Sequence, residues 1–164
     1  MPSARLIVLL GLVALGCQRA PRPLVAGVDA CDFCRMTVSD TRFGGEIQSK
    51  TGKIHAFDAV ECLASFHLAA ADRNEAGAAW VCDVESGRLV PVDSAVFLRD
   101  GRVNSPMGRS LVAFGPEHRA GIQSRYGGHP MTWSEVRESL RRRGLEPGAT
   151  PPDTSHAQAH GATP

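Results

Sequence analysis

Cys31-Asp-Phe-Cys34-Arg-Met36 packs more reactive side chains into six residues than any other stretch of this 164-residue chain. A C-x-x-C pair serves zinc binding, dithiol redox chemistry or haem attachment. Haem attachment needs a histidine directly after the second cysteine, and Arg35 stands there. Zinc wants four ligands, usually from two such pairs, and no second C-x-x-C exists. A thioredoxin-like site lies between a strand and a helix, whereas this pair follows a stretch containing Pro and Gly. Met36 sets the motif apart. In an extended segment it points to the same side as Cys34, so that a thiolate and a thioether face one ion. Soft sulfur donors of this kind select Cu(I) over harder metals. Met107, in Asn104-Ser-Pro-Met-Gly-Arg109, is a candidate third ligand, because Pro106 and Gly108 pin it on a turn.

The other candidates read as structural. Cys62 lies on a helix face with Leu63 and Phe66, and Cys82 lies in a strand with Trp80 and Val84; buried free cysteine behaves as a small hydrophobe. Met131 reads as core filler. His55 reads as a satisfied polar residue that would join a Cys/Met/His set only if it lay close to Met107. His67, His118 and His129 have no spacing signal, and His156 with His160 read as polar residues of a loose tail.

These elements sit behind an address. Arg5, the apolar run Leu6–Leu15 and then Gly16-Cys17 have the layout of a secretory leader whose end resembles a bacterial lipobox. The expectation is a signal peptide over 1–16, lipidation at Cys17 and a tether through residue 30. The acyl chains would hold the protein on the periplasmic side of a membrane, with the outer membrane favoured by Gln18 after the cysteine. Cysteines beyond the cytoplasm oxidise unless a metal or partner protects them. The ten-residue apolar run is half of what a spanning helix needs, which excludes a multi-pass membrane protein. Eighteen Lys+Arg against 17 Asp+Glu, with Arg5 the one charge of the leader, excludes a nucleic-acid grip by bulk charge.

The positioning elements follow from periodicity. Phe43–Gln48 and Lys53–Phe57 read as strands joined by the turn Ser49-Lys-Thr-Gly52. Asp58 and Glu61 form a capping-box signal for a helix whose apolar face is Val60, Leu63, Phe66 and Leu68. Ala78–Val84 is a further strand, giving β-β-α-β. The second half echoes it with strands at Arg88–Val92, Ala95–Arg99 and Leu111–Phe114. A helix then runs from Pro116 to about Gly127-Gly128, and Met131 closes a short strand. Thr132 and Glu135 make a second capping box for a last helix. The expected fold is α+β, two ββαβ-type halves packed as one two-lobed domain over 31–144, with a disordered tail over 145–164.

At this resolution of motifs the chain resembles the NosL family, the accessory proteins of nitrous-oxide reductase. The resemblance rests on Cys31-Asp-Phe-Cys34-Arg-Met36, on Gly52-Lys-Ile-His-Ala-Phe57-Asp58 followed by Cys62-Leu63, and on Ser105-Pro-Met-Gly108 followed by Leu111-Val-Ala-Phe114. It covers about Cys17 to Leu140. It implies a lipid-anchored periplasmic copper chaperone, not an enzyme. Such a chaperone delivers Cu(I) for the CuZ centre of nitrous-oxide reductase and works with an ABC-type membrane maturation complex. The implied ligands are Cys34, Met36 and Met107. Cys31 stays open as a second thiolate, a disulfide partner of Cys34 or a secondary contact. The chain departs from the family pattern at Ala59-Val60-Glu61 and at Arg125-Tyr-Gly-Gly128, where a histidine is often nearby. Two rival functions remain: a periplasmic thiol-disulfide oxidoreductase using Cys31 and Cys34, and a structural lipoprotein with a zinc or disulfide clasp. An architectural likeness to organomercurial lyases adds little, since fold is a poor guide to function.

Overall fold

Short apolar runs punctuated by turn residues build the first sheet. In the computed structural model, which describes residues 20–103, 105, 106, 108 and 110–142, β1 (Gly45–Gln48) and β2 (Ile54–Phe57) pair antiparallel with Gln48 opposite Ile54. The turn between them uses Gly52 at φ 89°, and the Ser49 hydroxyl accepts from the Lys53 N–H at 3.0 Å. Helix α1 (Val60–Asp72) follows, rich in alanine and leucine, and ends where Asn74 turns left-handed at φ 56°. Strands β3 (Ala78–Cys82) and β4 (Leu89–Pro91) complete a sheet of order β2-β1-β3-β4.

The second sheet contains β5 (Val96–Arg99), β6 (Leu111–Phe114) and β7 (His129–Met131) in the order β6-β5-β7, with α2 (Ile122–Tyr126) between β6 and β7 and α3 (Trp133–Arg142) after β7. The strand order β2-β1-β3 is thus repeated as β6-β5-β7, and the α+β fold of two ββαβ halves expected from the sequence is the fold observed.

One core joins the halves. Ile47, Phe57, Leu63 and Val81 of the first half pack in the same cluster as Phe97, Leu111, Trp133 and Leu140 of the second. Strand alternation places Val96, Leu98, Val112 and Phe114 on the opposite face of the second sheet, in a smaller cluster with Phe43 and Ile122. Gly45 makes the approach of α1 possible: a Cβ there would lie 2.4 Å from Leu63 Cδ1.

Four local expectations fail for identifiable reasons. Strand β4 belongs to the first sheet, because Gly87 at φ 71° closes a tight turn, with the Asp83 N–H donating to the Arg88 carbonyl, that folds β4 back on β3. The single helix expected from Pro116 is broken by Gly121 at φ 96° into a 3-10 turn, Pro116–His118, and the short α2. Asp58 does not cap α1: Ala59 holds the cap position with no side-chain bond, because the carboxylate of Asp58 is turned toward a thiol. Within the stretch read as a tether, Arg22 is held against β1 and residues 27–30 pair with residues 37–38. The Arg22 guanidinium pairs with Asp29 at 2.8 Å, and the Arg22 N–H donates to the buried carboxylate of Glu46. The second capping box forms as expected, with Thr132 N–H to Glu135 Oε2 at 2.7 Å and Glu135 N–H to Thr132 Oγ1 at 3.3 Å. Among the described residues no helix is long and apolar enough to cross a membrane. The leader, Cys17 and the tail from 145 lie outside the described residues.

Candidate metal centre

Cys31 and Cys34 stand on a tight turn. Ala30 bridges Thr37, the Cys31 N–H donates to the Met36 carbonyl at 2.8 Å, and the Arg35 N–H donates to the Cys31 carbonyl at 2.9 Å. Arg35 pays for this closure with φ 68°, in the left-handed region. The turn is fixed to the first sheet by the Asp32 N–H, which donates to the Ala56 carbonyl of β2 at 2.9 Å.

That geometry places Cys31 beside the start of α1. Cys31, Cys34, Asp58 and Cys62 bring one sulfur or carboxylate oxygen each to within 4.8 Å of one another. Cys31 is fully buried and Cys62 nearly so, whereas Cys34 is half-buried and Met36 is 58% exposed. All four described cysteines are free thiols. A set of three thiols and a carboxylate can hold a metal ion, and the sulfur majority favours soft metals.

The three thiols differ in acidity. The Cys62 thiol donates toward the Cys31 sulfur, and the N–H groups of Cys34 and Asp58 point at the same atom; together they outweigh burial and bring Cys31 down to about 7. Burial, with the Cys31 charge alongside, pushes Cys34 up to about 11, although the Met36 N–H points at its sulfur. Cys34 Sγ lies 3.5 Å from Asp58 Oδ1, the direction of donation a protonated thiol would take. Cys62 is pushed up strongly, first by its hydrogen bond to Cys31 and then by burial.

The sequence-based candidates fare unequally. Cys31 and Cys34 are brought together. Met36 follows Cys34 directly in space, but not by strand alternation: the left-handed Arg35 interrupts the extended segment, and the observed link is the Met36 N–H to the Cys34 sulfur. Met107 lies outside the described residues. Its neighbours form the expected turn, with the Gly108 N–H donating to the Ser105 carbonyl at 3.0 Å and Gly108 at φ 65°. Ser105 is buried and its hydroxyl donates to Glu61, the residue before Cys62, at 3.3 Å. His55 is a satisfied polar residue: its Nδ1 lies 2.7 Å from Asp32 Oδ2 and its ring packs on Phe66. Cys82 is buried in β3 as expected.

Sequence reasoning assigned Cys62 to the core and Asp58 to a cap, and the structure brings both to the thiol turn. The signal was their closeness in sequence at the start of α1, Asp58 just ahead of the Ala59 cap and Cys62 in the first turn. A second group also escaped notice, because its members are distant in sequence: Asp83, Glu117 and His118 bring donor atoms within 4.8 Å of one another. A cleft of about 490 Å³ opens beside the turn, lined among others by Asp32, Arg35, Lys53, His55 and Phe66, and none of the three thiols lines it.

Comparison with known proteins places this geometry in context. The crystal structure of the copper chaperone NosL from Shewanella denitrificans superposes with a TM-score of 0.58 at 20% identity, covering 73% of this chain and 99% of that one, a likeness of fold. A comparison with curated protein sequences finds no match. The sequence model of the NosL family matches residues 24–141, well over half of the 164. That span takes in the thiol turn, both sheets and the turn at Ser105, and the chain therefore belongs to the NosL family.

Proposed function

We propose that this protein is a Cu(I) chaperone, anchored by lipid at Cys17 on the periplasmic side of the membrane, where it can hand metal to secreted acceptors. Copper is its cargo. In this reading Cys34 is the central ligand, Met36 and Met107 are the thioether ligands, and Cys31 supports them from the interior. The acceptor is nitrous-oxide reductase during assembly of its CuZ centre, together with an ABC-type membrane complex. The observation that supports this most is the gradient of exposure across one soft-donor cluster, from buried Cys31 through half-buried Cys34 to exposed Met36.

A closed tetrahedral site retains its metal, whereas Cu(I) held at an open edge leaves by stepwise exchange, each incoming sulfur displacing one on the chaperone. Cys34 loses its proton to bind and regains it on release, beside Asp58. The thiol-disulfide oxidoreductase is disfavoured by the same gradient. Redox catalysis needs the acidic thiol at the surface, and here the acidified sulfur is the buried Cys31 while exposed-edge Cys34 is pushed up.

The test is an anaerobic Cu(I) titration of the reduced full-length protein against a chromophoric chelator, beside Cys34→Ser, Met36→Leu and Met107→Leu. Binding near one equivalent that falls by about 100-fold or more without Cys34, and less with either methionine replaced, supports the chaperone. Binding indifferent to both methionines removes the soft-ligand argument and returns the zinc or disulfide clasp to the front.

A further inference from the structure

We propose that Cys31 and Cys62 form an inner two-thiolate position for Cu(I), behind the exchange position at Cys34 and Met36 and sharing Cys34 with it. This rests on the Cu(I) reading above and gives a ligand role to Cys31, which that reading leaves as support, and to Cys62, which it does not use.

Three observations converge. The Cys31 and Cys62 sulfurs lie within 4.8 Å of each other and of Cys34, and no disulfide links them. Metal–thiolate bonds of about 2.3 Å put two sulfurs sharing one ion up to ~4.6 Å apart, so the pair needs almost no rearrangement. Both sulfurs are sealed from water in the main core, where Phe33 and Phe66 pack against the same cluster. Cu(I) is satisfied by two soft donors in such a place, whereas a harder ion would need several oxygen ligands or waters, and Asp58 supplies the one carboxylate of this cluster. Backbone N–H groups of Cys34 and Asp58 aim at the Cys31 sulfur, the outer-layer donors that orient a metal-bound thiolate.

Cys34 lies between the two positions, so copper passes inward by exchanging Met36 for Cys31 and then Cys34 for Cys62. Each thiol that binds releases one proton to solvent and each sulfur displaced to a thiol regains one. Copper stays Cu(I) throughout, and no oxidant or reductant takes part. The outer position governs exchange with an acceptor and the inner one governs retention.

The experiment loads the reduced full-length protein with one equivalent of Cu(I) under anaerobic conditions and follows its release to excess chromophoric chelator. The expected release is biphasic, with the slow phase about tenfold slower than the fast one. Cys62→Ala removes the slow phase and keeps the fast one, while Met36→Leu with Met107→Leu removes the fast phase and keeps the slow one. Cys62→Ser, closer in size to the native side chain, is measured beside Cys62→Ala, and circular dichroism confirms that each variant folds. Single-phase release from the native protein, or a slow phase that survives both Cys62 substitutions in folded protein, overturns the inner position and leaves the chaperone standing. Absence of Cu(I) binding in the native protein overturns both.

Discussion

Phe57 and Phe114 each end the second strand of a sheet, and each is followed by a turn into helical structure. After Phe57 come Asp58 and Cys62, which meet the thiols of the 31–34 turn. After Phe114 come Glu117 and His118, which meet Asp83. The same place in two halves of the same strand order therefore holds a donor cluster, of sulfur in the first half and of oxygen and nitrogen in the second. The first is largely sealed, with Cys31, Asp58 and Cys62 all buried. The second is open on one side, with Asp83 buried, Glu117 exposed and the His118 side chain 25% exposed, its Nδ1 3.7 Å from Glu85. Strand topology supplies the location, and the segment that packs onto it decides the chemistry. In the first half that segment is the turn of residues 31–36, and in the second it is the turn of residues 83–88. The second is closed by the same two bonds, Asp83 N–H to the Arg88 carbonyl and Gly87 N–H to the Asp83 carbonyl, with Gly87 left-handed as Arg35 is. The first turn brings Cys31 to its cluster where the second brings Asp83.

The strongest way to break this comparison is to remove the two phenylalanines. Both are fully buried, so Phe57→Ala and Phe114→Ala should each cost about 3–5 kcal/mol in chemical denaturation. Only Phe57 borders Asp58 and packs on Phe66 at a ring distance of 5.1 Å. Phe57→Ala should therefore also weaken Cu(I) binding, by about tenfold, while Phe114→Ala leaves it unchanged. Equal losses of affinity would mean that general stability, not local geometry, sets the site.

The next effect is a pH dependence confined to the first cluster. Burial keeps Cys34 protonated up to about 11, so copper displaces its proton throughout the neutral range. Affinity should then rise about tenfold per pH unit from 7 to 9, since binding releases one proton. Cys31, lowered to about 7, adds a second proton only below that value, and the profile should steepen there. A chelator competition at fixed Cu(I) across pH 6–9 reads both slopes.

Much of the fold was legible because period and punctuation agree: the 49–52 hairpin, β3, β5, β6 and the Thr132 capping box all appear where alternation and turn residues put them. What failed was tertiary. Asp58 looks like a cap in sequence, but a thiol from 24 residues upstream takes its carboxylate. Cys62 was legible as buried and not as a neighbour of Cys31, since only the return of residues 30–37 over β2 brings them together. The left-handed Arg35 was invisible because any residue type fits a strand pattern on paper, while the observed turn requires φ 68° at that one position.

The helix starts sharpen the contrast at a smaller scale. Helix α3 uses a side-chain cap and α1 does not, so Thr132→Ala should lower stability by about 1 kcal/mol and leave Cu(I) affinity alone. A thermal melt beside the copper titration separates the two readouts. A loss of affinity with Thr132→Ala would tie the site to α3, against the division of labour between the halves.

The smallest expected effect tests the second cluster directly. Burial pushes the Asp83 carboxyl up, but the Ser86 hydroxyl, the Glu85 N–H and His118 together outweigh it, so its pKa lies below the ordinary value. A depressed carboxyl contributes stability above its unfolded pKa and loses it as pH falls through the folded value. His118→Ala removes one of the depressing groups and should move the acid-unfolding midpoint to slightly higher pH. At neutral pH the cost should stay under about 1 kcal/mol, because the imidazole lies 3.6 Å from Asp83 and is partly solvated. Cu(I) affinity should change by less than about twofold, since oxygen and nitrogen donors compete poorly with sulfur for a soft ion. A tenfold loss would put copper at both clusters and end the contrast between them, because a carboxylate and imidazole set would then be taking a share of the same cargo as the thiols.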